Sequence, residues 1–207
     1  MSSTPSFAPE RFHRHVFVWF APDAREPSSV PEKAALLHDW LGAKRPLIVR
    51  RRAESDPPGL LPLGLALPGK RRVAFALPPA DVIDVAPPPV IPLTGEIFDR
   101  LAAAARGAGS ELRAFGSHAW QFLTSLSYVT PESDTDLLVF LEDRAGWERL
   151  RAALASIPLP PKIDLEIVLR RDASFTWREF VAVGERLLFK GETRAWLGAK
   201  SDVAGLL

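Results

Sequence analysis

FGSHAWQFLTSLSYVTPESDTDLLVF, residues 115–140, opens on a glycine–serine turn and closes on two aspartates at the head of an apolar run. Leu137 to Leu141 is unbroken and apolar, which predicts a buried strand. On a strand, side chains alternate faces, so Asp134 and Asp136 project together while Leu137 and Val139 point into the protein. Two carboxylates on one face can share a divalent cation, and burying them at a strand head costs desolvation unless something cationic compensates. The spacing alone is uninformative. With 25 acidic residues in 207, about three acidic-x-acidic pairs are expected by chance. The chain also holds Glu54/Asp56, Glu132/Asp134 and Asp164/Glu166, and only Asp134/Asp136 leads into such an apolar run.

Working outward, Glu111 to Phe115 reads as a strand, Gly116-Ser117 as a turn, and His118 to Leu126 as a short helix. A glycine lets backbone approach a phosphate closely, and the helix N-terminus that follows offers free N–H groups to an anion. Ser117 adds a hydroxyl, although a strand-to-helix turn with an N-cap serine would read the same way. His118 stands beside this loop as a phosphate donor or proton carrier. Further along, KIDLEIVL (162–169) alternates strictly, with Ile163, Leu165 and Ile167 on one face and Asp164 and Glu166 on the other. Either acid could supply a third carboxylate, as a metal ligand or as a base.

The remaining elements follow from periodicity and punctuation. Thr94 caps a helix carrying Ile97, Phe98, Leu101 and Ala105 and stopped at Gly107. Trp147, Leu150 and Leu154 mark another, broken at Pro158. Thr176 to Val183 predicts a further short helix and Leu187 to Lys190 a strand. In the first half, His15 to Phe20, Pro46 to Arg50 and Arg72 to Leu77 read as strands, and Val30 to Leu41 as a helix with Pro31 in its first turn. PPADVIDVAPPPVIP (78–92) disfavours any regular helix or central strand, which places a domain boundary within it. The expected architecture is α+β: a smaller strand-rich domain over 1–85 and a mixed-sheet catalytic domain over 86–207.

Composition narrows the function classes. The net charge of +1 leaves no field to recruit nucleic acid or an anionic membrane. The absence of cysteine excludes disulfides, thiolate metal sites and a cysteine nucleophile. There is no apolar run of about 18 residues and no apolar core in the first fifteen residues, so neither a membrane span nor a signal peptide is predicted, and the cytoplasm is the expected location. Arg50 and Arg52, sharing a strand face, are candidates to grip a polyphosphate.

Strand, Gly-Ser turn, helix and then Asp-x-Asp on a strand resembles the layout of the polymerase-β-like nucleotidyltransferase superfamily. More narrowly, residues 116–140, together with RPLIVRRR (45–52), GLLPLGLALPGKRRVAFALP (59–78) and WREF (177–180), resemble the malonate decarboxylase holo-acyl-carrier-protein synthases, also called phosphoribosyl-dephospho-CoA transferases. The resemblance implies transfer of the 2′-(5″-phosphoribosyl)-3′-dephospho-CoA group from its triphosphate precursor to a serine of the malonate decarboxylase acyl-carrier protein, with release of diphosphate. It implies Mg²⁺ on Asp134 and Asp136, favours Asp164 over Glu166 as the third carboxylate, and assigns Gly116 and Ser117 to the donor. The loop from Tyr128 to Ser133 lengthens the usual spacing between serine and aspartate. Two other functions compete: an ATP-dependent nucleotidyltransferase acting on another hydroxyl, and a non-catalytic nucleotide-binding subunit.

Overall fold

The computed structural model describes residues 12–27, 30–170 and 173–207. Most of the amino-terminal stretch read for a signal peptide lies outside them. The chain divides into two compact units, Met1–Pro87 and Pro88–Leu207.

The first unit is an antiparallel sheet with one helix. Strands β1 (Phe17–Phe20), β2 (Leu47–Val49), β3 (Leu61–Ala66), β4 (Arg72–Leu77) and β5 (Val82–Ala86) take the order β4-β3-β2-β1-β5. Helix α1 (Pro31–Gly42) starts on Pro31 and buries Leu37, Trp40 and Leu41. The proline sits where its missing N–H is no loss. The Trp40 indole donates to Pro46 O at 2.8 Å, so a large ring is buried with its one polar atom satisfied. β3 was not expected, since Pro62 and Gly64 read as breakers. Glycine suits this strand because a side chain at Gly64 would press on Ile48 Cγ2 at 3.3 Å. β5 lies within the proline-dense segment, at the sheet edge, where one side needs no ladder partner.

The second unit is a mixed six-stranded sheet with helices. Its elements are α2 (Glu96–Gly107), β6 (Arg113–Ala114), α3 (Gly116–Thr124), β7 (Thr135–Leu141), α4 (Arg144–Leu154), β8 (Ile163–Leu169), β9 (Ala173–Thr176), α5 (Trp177–Val181), β10 (Arg186–Lys190) and β11 (Ala195–Ala199). The order is β11-β10-β9-β8-β7-β6. Only β7 and β8 run parallel, joined by a crossover through α4. A parallel pair requires such a crossover, because a tight turn can only reverse the chain.

Alternation along these strands separates two faces. Leu137, Val139, Leu141, Ile163, Leu165, Ile167, Phe175 and Phe189 form one core with Leu101 of α2 and Trp147 and Leu150 of α4. Trp147 meets Phe175 and Phe180 edge-on, with centroids 5.7 and 5.0 Å away. The opposite face carries Asp136, Asp164, Glu166, Ser174 and Lys190. Helix α3 packs on β7.

Two boundaries differ from expectation. α2 is capped by Gly95 at φ 124°, not by the Thr94 hydroxyl. β6 shrinks to two residues. There the Arg113 guanidinium donates to Pro88 O at 2.7 Å and Ala114 N to Pro89 O at 2.8 Å, which ties the Pro88–Pro89 segment to β6.

Candidate functional site

The site grows from the junction of β6 and α3. Phe115 is extended, its N–H donating to Asp136 O at 2.9 Å, and Gly116 then turns into the helix at φ +55°. A Cβ at Gly116 would lie 1.9 Å from Asp136 Oδ2 and 2.9 Å from its Cγ. Glycine is therefore demanded twice, by a left-handed backbone and by a carboxylate packed against it. Ser117 lies inside the first turn of α3, whose N-cap is Phe115 with no side-chain cap, so the serine is not a helix cap. The first-turn amides have no carbonyl one turn earlier and are open to an anion.

Asp136 pairs in register with Asp164 on the parallel neighbour β8. Adjacent strands lie about 4.8 Å apart, and residues at matching positions share a face, so these two carboxylates stand side by side. Both are half-buried. Asp134 is placed differently. Sheet pairing begins at Thr135, whose N–H donates to Lys162 O at 2.7 Å, leaving Asp134 exposed one residue ahead of the strand.

His118 Nε2 lies 3.4 Å from the Thr135 hydroxyl, between the two aspartates in sequence. Burial lowers the imidazole pKa below its ordinary 6.5, keeping it neutral near pH 7. The Tyr128 to Ser133 loop is pinned from both ends. Gln121 Oε1 accepts from Tyr128 N at 3.1 Å and Val129 N at 3.0 Å, the Tyr128 ring stacks on Trp120, and Lys162 Nζ donates to Pro131 O at 2.7 Å. Arg178 Nη2 reaches Pro160 O, Pro161 O and Ile163 O at 3.0 to 3.3 Å, gripping the chain where it enters β8. Lys162 and Arg178 were not singled out from sequence. Arg178 lay within the quoted WREF, but nothing in one sequence says which carbonyls it meets.

Glu166 is separated from Asp164 in role. It accepts from Ser174 Oγ at 2.5 Å and from Lys190 Nζ at 3.2 Å. Arg50 and Arg52 correct the expectation of a paired strand face, because β2 ends at Val49 and both arginines lie in the following loop. Arg50 forms a two-pronged ion pair with Asp56 and donates to Leu63 O and Arg51 O, while Arg52 donates to Pro57 O and Leu60 O. Guanidinium forks committed to backbone carbonyls and a carboxylate brace the first unit.

Among the described residues, no three His, Asp or Glu side chains gather closely enough to hold a metal ion. The expected set of Asp134, Asp136 and Asp164 is thus not preassembled. The adjacent pair Asp136/Asp164 nevertheless suits Mg²⁺, which takes one or two carboxylates and completes its shell with water and substrate phosphate.

Family models for phosphoribosyl-dephospho-CoA transferase MdcG match in order, the N-terminal domain over residues 13–88 and the C-terminal domain over 83–200. A phosphoribosyl-dephospho-CoA transferase of Xanthomonas euvesicatoria pv. vesicatoria is 32% identical over 193 residues, covering 86% of this chain and 89% of its own. One from Bradyrhizobium diazoefficiens is 32% identical over 204 residues, covering 89% of this chain and 88% of its own. No solved structure matches the chain. The protein is thus an α+β transferase. It belongs to the phosphoribosyl-dephospho-CoA transferase family.

Proposed function

We propose that this protein transfers the 2′-(5″-phosphoribosyl)-3′-dephospho-CoA group from 2′-(5″-triphosphoribosyl)-3′-dephospho-CoA to a serine of the malonate decarboxylase acyl-carrier protein, releasing diphosphate. Family membership along nearly the whole chain supports the donor and the carrier. The observation that carries the chemistry is the in-register pair Asp136 and Asp164, with the Asp136 carboxylate packed on Gly116. The second unit then serves as a nucleotidyltransferase-type core acting on soluble substrates in the cytoplasm.

Each residue has a task. The amides that open α3 at Gly116 and Ser117 receive the donor phosphates, and the absent side chain at Gly116 lets them approach the Asp136 carboxylate. Asp136 and Asp164 would hold magnesium, with Asp134 ahead of the strand as a further carboxylate. Bound there, the ion would supply neutralisation of the triphosphate and of charge growing on the leaving oxygen. The carrier serine oxygen forms a bond to the α-phosphorus in line with the bond that breaks to diphosphate. Its proton passes to the half-buried carboxylate of Asp164. Neutral His118 donates to a phosphate oxygen from the adjacent turn.

The test is to incubate the protein with the triphosphate donor, Mg²⁺ and apo-carrier, and to weigh the carrier by mass spectrometry. A mass increase equal to the phosphoribosyl-dephospho-CoA group is expected. Addition of AMP from ATP, with no gain from the triphosphate donor, would overturn the reading.

A further inference from the structure

The chain that leads into Asp164 has little means of fixing itself. Pro160 and Pro161 carry no backbone N–H, so they can accept hydrogen bonds and cannot donate to a ladder. On the far side of β8, pairing with β9 stops at Glu166 and Thr176, after which the chain turns into α5 at Trp177. Lys162 O faces β7, where it accepts from Thr135 N. The next carbonyl along, Ile163 O, therefore points to the side that β9 has left.

Arg178 fills that gap. It is the second residue of α5, and its Nη2 donates to Pro160 O at 3.1 Å, Pro161 O at 3.3 Å and Ile163 O at 3.0 Å. A guanidinium donates and has no acceptor atom, which matches a segment rich in carbonyls and poor in N–H groups. The contact also fixes its distance from the site. Ile163 O is joined to Asp164 across one planar peptide, about 2.8 Å from the Asp164 Cα, so Nη2 lies within about 6 Å of that atom. The same segment reaches the other aspartates. Lys162 Nζ donates to Pro131 O at 2.7 Å in the loop before Asp134, and Lys162 O accepts at 2.7 Å from Thr135 N, between Asp134 and Asp136. One arginine thus holds the stretch on which Asp164 is mounted and to which the Asp134 loop is tied.

We propose that Arg178 is a positioning residue for the metal-binding carboxylates, acting through the backbone of residues 160–163 to keep Asp164 level with Asp136. The inference rests on the function proposed above, in which that pair holds the divalent ion. Carboxylates on a fixed backbone lose less freedom on binding a metal, and groups that orient ligands typically matter about 10- to 100-fold in affinity or rate.

The test uses the full chain and its Arg178→Met, Arg178→Lys, Arg100→Met and Asp164→Asn variants, with folding checked by thermal melting. Met keeps an apolar stem and removes every donor, whereas Lys keeps three. Arg100→Met removes a guanidinium bond to a backbone carbonyl elsewhere in the same unit, Ser156 O at 2.7 Å. Mn²⁺ alone is titrated and followed by its electron paramagnetic resonance signal. Arg178→Met is expected to weaken Mn²⁺ binding about tenfold, Arg178→Lys by about threefold at most, and Arg100→Met not at all. In the transfer assay Arg178→Met should lower kcat about tenfold or more and leave the carrier KM within about twofold. If Arg178→Met does not fold, Arg178→Gln, too short to span all three carbonyls, takes its place. Undiminished Mn²⁺ binding in that variant, or an equal loss in Arg100→Met, would overturn the role of Arg178. Undiminished Mn²⁺ binding in Asp164→Asn would instead overturn the metal site on which the inference rests.

Discussion

At Gly116 a single missing carbon decides the shape of the site. Gly116→Ala would force a Cβ to within 1.9 Å of Asp136 Oδ2 at a φ of +55°. The carboxylate or the turn must move by an ångström or more. Displacement on that scale is expected to lower the transfer rate about 100-fold and stability by about 1–2 kcal/mol, to be read from single-turnover kinetics and denaturant melts. His118 offers a second residue-scale check. Its folded-state pKa lies below the ordinary 6.5, because burial disfavours the charged ring. The stability this residue supports is therefore present above pH 6.5 and declines as pH falls through the lowered value. Relative to His118→Gln, the natural protein should lose stability on acidification below pH 6.5, and the imidazole proton resonances should titrate below that pH. Sequence showed the residue types at this site but not their partners. Gly116 beside an Asp-x-Asp strand is legible because backbone sterics act locally. That Arg50 closes on Asp56, or Lys190 on Glu166, depends on long-range pairing that leaves no periodicity to read.

Among the elements, α4 positions the two aspartate strands, since it lies in the only crossover between β7 and β8. Asp143 caps it, accepting from Gly146 N at 2.7 Å, and Gly146 lets it approach α2 so closely that a Cβ would lie 2.8 Å from Ala108 O. Gly146→Ala is expected to destabilise the protein by about 1–3 kcal/mol, because the clash is with backbone and cannot be relieved by a rotamer change. Equilibrium urea unfolding would measure it. Strongly periodic elements were legible: the α1, α2 and α4 patterns, the KIDLEIVL alternation and the run beginning at Leu137. β9 and β11 were not, because ASFT is too short to show a period and AWLGA mixes small residues into its alternation. Gly198 is needed there, as a side chain would strike Phe189 Cε2 at 2.8 Å, a constraint imposed from the neighbouring strand.

Over the whole molecule, each unit has its own sheet and its own buried apolar side chains. Asp56 belongs to the first. The hydrogen bond from Arg50 holds its pKa below the ordinary 3.8, so its contribution is present above that pH and is lost as pH falls through the depressed value. Asp56→Asn removes one side of a partly buried pair and should cost the first unit about 2 kcal/mol. Hydrogen exchange is expected to show faster opening of β2 and β3, with protection of β7 and β8 unchanged. The parallel pairing of β7 with β8 carries a consequence for how this family tolerates insertion and deletion. Asp164 meets Asp136 only through the register of these two strands. A one-residue slip of β8 against β7 would turn the acid toward the oily side of the sheet, while a two-residue slip would restore its orientation but slide it roughly 7 Å along the strand. The buried alternation of Ile163, Leu165, Ile167 and Leu169 is thus a ratchet that keeps the two acids in step, and residues added to the linker must bulge outward to leave it engaged.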